Sequence, residues 1–212
     1  MHNLQAIKML KHKNAILVFG VVVLGLGLGS VCGASAAGGN SILSYFVRNP
    51  VSVPGEKPDK SFMLGDFETP EALQAWKVNR AKIEISQDHV KVGSGSARVA
   101  FFGHVKVSQV GLKDYFTSRG ALFDWSKYRA LSFYIFNPQG ESERILVQIA
   151  DRKGRLYKED FTVPANSGET FTLPIEKISN EINVNQINEL TFFEWNLGNG
   201  FYLHFDDVKL TS

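Results

Sequence analysis

The side chains best suited to nucleophilic or metal-assisted chemistry are few in this 212-residue sequence and poorly spaced for it. His89, His104 and His204 stand far apart, without the His-x-x-x-His spacing that brings two imidazoles to one zinc ion. No Gly-x-Ser-x-Gly sequence presents a serine on a sharp turn. The nucleophile, base and orienting partner of a nucleophilic hydrolase are therefore not indicated.

Two carboxylates remain as candidates for acid and base chemistry on a glycosidic bond. Glu194 and Asp206 are near one another in the sequence, and glycoside hydrolysis uses a pair of carboxyl groups flanking the scissile bond. A sequence with 21 acidic residues contains such pairs by chance, however. We therefore predict that the protein is not an enzyme, with a small glycan hydrolase as the least favoured alternative.

The distribution of charge argues against a nucleic-acid partner. The formal net charge is +2, but Lys8, Lys11 and Lys13 all precede a hydrophobic segment. Without these three lysines, 20 basic residues stand against 21 acidic ones. No basic block follows them, whereas nucleic-acid binding requires a concentrated positive surface.

The first 36 residues have the pattern of an export segment. The lysines precede an apolar run over 15–31, and Ala34, Ser35 and Ala36 follow it as a cleavage site. We predict a signal peptide or N-terminal membrane anchor over 1–36, with the rest of the chain outward, in the periplasm, on the cell surface or secreted. Cys32, the only cysteine, ends the run and leaves lipidation open as a third outcome.

The rest of the chain divides into a linker over 37–61, rich in Pro, Gly and Ser, and one domain over 62–212. Short runs that alternate apolar and polar residues between turn sequences are typical of antiparallel strands. We predict nine such strands, at 63–68, 82–86, 96–102, 130–136, 145–149, 156–163, 169–174, 189–195 and 201–210. The predicted fold class is all-β, an antiparallel two-sheet jelly-roll sandwich. The residues expected in its core are Phe67, Phe101, Trp125, Phe133, Phe192 and Phe205.

The order of several short sequences resembles the jelly-roll carbohydrate-binding modules with a galactose-binding-like fold. They are Leu-Gly-Asp-Phe-Glu at 64–68 with Trp76 after it, Gly-Ser-Gly-Ser at 93–96, Phe-Asp-Trp-Ser-Lys-Tyr at 123–128, and Phe-Asp-Asp-Val-Lys-Leu at 205–210. The resemblance spans about 64–210. It bears on the fold more strongly than on the ligand.

The resemblance implies a sugar-binding site on the outer, concave face of one sheet or on the loops at one edge. There, aromatic rings would meet the C–H surfaces of a sugar, and polar side chains would bind its hydroxyl groups. Alternation along the predicted strands places on outer faces Arg98, Phe102, Tyr134, Phe136, Gln148, Tyr202 and His204, with Glu194 or Trp195 nearby. From these the candidate ligand-binding residues are Arg98, Tyr134, Gln148, Glu194, Trp195 and His204.

The resemblance also implies a structural calcium ion where the first and last strands meet. Glu68 and one of Asp206 or Asp207, with Asp206 preferred, would supply carboxylates, and carbonyl oxygens of 93–96 would complete the shell. The alternation of inward residues breaks at Asp206 and Asp207, which predicts a β-bulge. A solvated strand end explains the same two aspartates without a metal.

These observations predict a non-catalytic carbohydrate-binding module whose partner is a glycan. The alternative is a structural module that holds an envelope protein, which predicts a contiguous apolar patch on one sheet face. In both cases only the N-terminal segment contacts the membrane.

Overall fold

The computed structural model of the protein describes residues 61–113 and 124–212. The predicted signal or anchor segment over 1–36, with Cys32, lies outside these residues, as does the linker over 37–61 except for Ser61. No helix of the described residues is long and apolar enough to cross a membrane.

Strands make up most of the described chain. Their bounds are β1 Ser61–Gly65, β2 Lys77–Asn79, β3 Ala81–Ser86, β4 Ser96–Phe101, β5 Val105–Lys113, β6 Ala130–Asn137, β7 Glu143–Asp151, β8 Leu156–Val163, β9 Ser167–Pro174, β10 Ile187–Leu197 and β11 Phe201–Thr211. A short helix, α1 (Ile175–Ser179), and two 3-10 helices, Pro70–Ala75 and Val184–Gln186, complete the secondary structure of the described residues. Pro70 opens its helix at a position where no backbone N–H is needed.

The strands form two sheets with antiparallel pairing. Sheet A has the order β3-β4-β11-β6-β9, with β1 also paired to β11, and sheet B has the order β2-β5-β10-β7-β8. The predicted all-β, two-sheet antiparallel sandwich is therefore confirmed.

Aromatic side chains fill the space between the sheets. Phe133 of sheet A meets Phe192 of sheet B edge to face at 5.1 Å between ring centroids, and it contacts Phe161 in the same way at 5.4 Å. Edge-to-face packing adds to the gain from burying these rings. All the residues predicted for the core are buried, namely Phe67, Phe101, Trp125, Phe133, Phe192 and Phe205.

Two strands, β2 and β5, were not predicted from the sequence. In β5 the inward positions include Ser108, which is fully buried and interrupts the apolar alternation. Its hydroxyl donates to the Arg80 carbonyl oxygen at 2.6 Å and accepts from the Phe102 amide at 3.1 Å. The hydrogen-bonded Ser108 side chain thus lies at an inward position where strand alternation predicts an apolar residue.

The predicted bulge in the last strand is present. The pairing of β11 with β6 shifts register between Asp206 and Lys209, and Asp207 has a φ of 51°. The shift lets Leu203 and Phe205 before it, and Val208 and Leu210 after it, all point into the core.

Candidate functional site

A row of side chains crosses the outer face of sheet A. Strand register places Glu84 opposite Arg98, Arg98 opposite His204, and His204 opposite Phe136, across β3, β4, β11 and β6. Residues two positions apart on a strand share a face. We define the Arg98 face as the six residues Glu84, Arg98, Tyr134, Phe136, Tyr202 and His204.

Arg98 is held on this face by an acid and an aromatic ring. Its Nη1 lies 2.7 Å from Glu84 Oε1, and its guanidinium carbon lies 4.2 Å from the centroid of the Tyr202 ring. Hydrogen bonds from Lys82 and then from Arg98 lower the pKa of Glu84 below its usual range. The Glu84 and Arg98 side chains remain 36% and 37% exposed, so a ligand can reach this pre-positioned pair.

The loop over 87–95, which joins β3 to β4, crosses the Arg98 face. The exposed His89 stacks on Phe136 with 3.7 Å between ring centroids and 10° between planes. It also meets the ring of His204 at 4.8 Å. The Lys91 ammonium lies 5.2 Å from the centroid of the Tyr134 ring. The 87–95 loop therefore borders the Arg98 face at one end.

His204, a predicted ligand residue, is covered by this arrangement. It is only 2% exposed, and its Nδ1 lies 3.3 Å from the Ser96 hydroxyl. Burial, followed by the charge of His89, lowers the pKa of His204 to about 4. His204 is thus a neutral imidazole that supports the face from below.

The position of Tyr134 depends on a glycine in the neighbouring strand. Gly168 of β9 pairs with Phe136, and a Cβ added there would overlap the Tyr134 hydroxyl and come within 2.9 Å of Phe136 Cδ2. Only a residue without a side chain leaves room for the tyrosine in this position. Burial, and then the charge of Asp206, raise the pKa of Tyr134.

Asp206, a predicted calcium ligand, accepts three backbone hydrogen bonds. Its Oδ2 accepts from the amides of Lys91 at 2.7 Å and Val92 at 2.9 Å. Its Oδ1 accepts from the amide of Asp207 at 2.7 Å. The carboxylate therefore ties the 87–95 loop to β11, directly before the bulge at Asp207.

Glu68, the second predicted calcium ligand, binds the same loop. Its carboxylate accepts from the Ser94 amide at 3.1 Å and from the Ser94 hydroxyl at 2.7 Å. The Asp206 and Glu68 carboxylates therefore both have protein hydrogen-bond donors. Within 61–113 and 124–212, no group of three or more His, Cys, Asp or Glu side chains is arranged to hold a metal. Calcium binding at Glu68 and Asp206 stays a prediction.

The other three predicted ligand residues do not lie on the Arg98 face. Gln148 and Trp195 point outward from sheet B, on β7 and β10, and Glu194 is turned the other way and is 7% exposed. Glu194 Oε1 accepts a hydrogen bond from Arg144 at 3.0 Å. The six predicted residues thus lie on two sheets, because alternation distinguishes inward from outward but does not identify the sheet. Sugar binding by several of them stays a prediction.

Two residues of the site were missed in the sequence, Glu84 and His89. The signal for Glu84 was available, since it alternates with Ile83 and Ile85 on a predicted strand. The signal for His89 was not, because its place over Phe136 depends on the path of the loop.

Comparison with known proteins supports the assignment of the fold. A family model described as the agarase CBM-like domain matches residues 66–196, more than half of the chain. An exo-β-agarase is 12% identical with a TM-score of 0.60, over 70% of this chain and 24% of that chain. A second agarase is 10% identical with a TM-score of 0.56, over 73% of this chain and 25% of that one. The chain thus spans about a quarter of the length of these agarases.

A separate binding module has the same fold. The family 11 carbohydrate-binding module from Clostridium thermocellum, in complex with a β-1,3-1,4-mixed-linked tetrasaccharide, is 20% identical with a TM-score of 0.53. The match covers 72% of this chain and 95% of that one. No curated protein matches the sequence. With the family model matching over most of the sandwich, the chain belongs to the agarase CBM-like domain family and is a carbohydrate-binding module.

Proposed function

We propose that the protein is exported and binds a glycan chain along the Arg98 face without cleaving it. The observation that carries the proposal is the Glu84–Arg98–Tyr202 arrangement on the outer side of sheet A. It combines a charged hydrogen-bonding pair with an aromatic ring on neighbouring strands, where the backbone holds both in place.

The Glu84–Arg98 pair supports recognition of hydroxyl groups. A guanidinium donates hydrogen bonds and a carboxylate accepts them, and both kinds of bond are stronger when one partner is charged. Because each side chain already restrains the other, less conformational entropy is lost on binding.

Aromatic rings on the same face support contact with the apolar surface of a sugar. Tyr202 of β11 lies beside Arg98 of β4. Tyr134 and Phe136 lie on β6, the strand on the other side of β11. Such rings offer a large contact area with few side-chain torsions to fix. The His89–Phe136 stack closes one end of this surface.

The carboxylates support binding in preference to hydrolysis. Glu194 belongs to sheet B, whereas Asp206 lies on sheet A under the 87–95 loop, so this pair does not face one cleft. Glu84 is accessible, but its lowered pKa is the opposite of what a general acid needs near neutral pH.

The alternative of a structural module for an envelope protein has weaker support. It requires a contiguous apolar patch on one sheet face. Among the described residues, the exposed large apolar side chains come from five separate segments: Val78, Val92, Phe102, Leu156 and Trp195.

Calorimetric titration of the purified protein tests the proposal. The family and its agarase relatives suggest agarose oligosaccharides as the first ligand, and the β-1,3-1,4-mixed-linked tetrasaccharide as the second. We expect at least one to bind, and Tyr202→Ala and Arg98→Met each to weaken that binding at least about tenfold, or about 1.4 kcal/mol.

The mass of the same exported protein shows whether 1–36 is retained.

Thr162→Ala, an exposed position on β8 of sheet B, is the matched control and keeps full affinity. Binding of neither saccharide overturns the proposal. So does equal binding by both Arg98-face variants and the unaltered protein.

A further inference from the structure

The outer face of sheet B carries an aromatic pair of its own. Trp195 of β10 is 42% exposed, and its ring packs against Phe193 with 5.4 Å between centroids and 42° between planes. Phe193 is 5% exposed and supports the tryptophan from one side. The pair lies on the central strand of the sheet, where Phe193 pairs with Gln109 of β5 and Leu146 of β7, and Trp195 pairs with Val107 of β5.

Polar side chains of the next two strands in the sheet, β7 and β8, lie on the same outer side. Gln148 of β7 lies opposite Thr191 of β10, and Lys158 of β8 lies opposite Gln148. We define the Trp195 face as the four residues Gln148, Lys158, Phe193 and Trp195. It is on the opposite side of the sandwich from the Arg98 face.

Lys158 gives the Trp195 face its charge. Its ammonium lies 4.9 Å from the centroid of the Trp195 ring and 5.9 Å from that of Phe193. No carboxylate in the described part of the chain lies within 4.0 Å of that ammonium. The nearby acid on the same strand, Asp160, is bound instead by Arg144 at 3.3 Å. Lys158 therefore retains its hydrogen-bonding capacity for an anion.

We propose that the Trp195 face is a second glycan-binding surface, for a pyranose that carries an anionic substituent. The Trp195 ring would stack on the C–H face of the sugar, and Lys158 would bind a sulfate or carboxylate group at its edge. A cation above an aromatic ring is complementary to a ligand that is apolar on one face and negatively charged at the edge. This site is independent of the Arg98 face, because the core separates the two.

Binding to three probes tests the proposal: agarose oligosaccharides, which are neutral, sulfated carrageenan oligosaccharides, and alginate oligosaccharides, which carry carboxylates. We expect a sulfated or carboxylated probe to bind more tightly at low salt than at high salt, since exposed charges are screened. Trp195→Ala and Lys158→Met each weaken that binding at least about tenfold, and Lys158→Met also removes its salt dependence. Binding of only one anionic probe identifies the substituent as sulfate or carboxylate.

Tyr202→Ala separates this surface from the first. We expect this variant to bind the anionic probe with the affinity of the unaltered protein, whether or not it binds agarose oligosaccharides more weakly. The inference is overturned if neither anionic probe binds. Lys158→Met removes the charge and keeps an aliphatic side chain, so binding by this variant equal to that of the unaltered protein also overturns the inference. Loss of binding in Tyr202→Ala alone overturns it as well.

Discussion

His204 is a buried, neutral imidazole in the centre of the Arg98 face, and it links stability to pH. Its folded-state pKa of about 4 lies below the ordinary value of 6.5. As pH falls below 6.5 the unfolded chain therefore binds a proton that the folded chain excludes, and stability is lost down to about pH 4. The groups that face His204 are His89, Asp88 and Arg98.

We predict that His204→Gln removes much of this acid sensitivity. The free energy of unfolding of the unaltered protein should fall between pH 6.5 and pH 4 by up to about 3 kcal/mol more than that of His204→Gln. Urea denaturation at several pH values measures the difference. His104→Asn is the control, since His104 is exposed and asparagine tolerates its φ of 56°. Parallel pH profiles for the unaltered protein and His204→Gln would contradict the prediction.

The 87–95 loop is held to the last strand by the side chain of Asp206. Asp206 accepts the amides of Lys91 and Val92, and hydrogen bonds to a charged acceptor are stronger than neutral ones. We predict that Asp206→Asn lowers the free energy of unfolding by about 2 kcal/mol, since an amide accepts fewer of these bonds and adds a donor facing donors. Hydrogen exchange should accelerate at the amides of Lys91 and Val92.

The same variant tests the calcium prediction. If calcium is bound, a chelator lowers the melting temperature of the unaltered protein and has little effect on Asp206→Asn. An unchanged melting temperature removes Glu68 and Asp206 from the ligand list. The hydrogen-exchange comparison is made with chelator in both samples, so any difference at Lys91 and Val92 comes from the loop anchor and not from a metal. Unchanged exchange at Lys91 and Val92 would show that Asp206 does not hold the loop.

Sequence patterns predicted individual strands well and their arrangement in sheets poorly. Strands such as β6 and β11 show the period-2 alternation that a half-buried sheet imposes. β5 was missed because Ser108 is satisfied by backbone groups of Arg80 and Phe102, which alternation does not reveal. Trp195 and Arg98 were assigned to one groove because sheet membership follows from long-range pairing, whereas alternation is local.

The Arg98 face and the Trp195 face depend on one shared core. Phe133 belongs to β6, which carries Tyr134 and Phe136 on its outer side, and Phe192 belongs to β10, which carries Trp195. The 5.1 Å edge-to-face contact between the two phenylalanines lies between the sheets. A loss of packing at this contact therefore reaches both faces together.

We predict that Phe133→Ala lowers the free energy of unfolding by about 3–5 kcal/mol, because the removed ring leaves a cavity among Phe161, Phe171 and Phe192. Phe102→Ala is the matched control: Phe102 is 47% exposed, and its loss costs within about 0.5 kcal/mol. Thermal and urea denaturation measure both variants. Because the core is common, Phe133→Ala should speed hydrogen exchange in β10 as well as in β6, in one cooperative transition. Faster exchange confined to sheet A would instead mean that the sheets open separately, and that each face has a stability of its own.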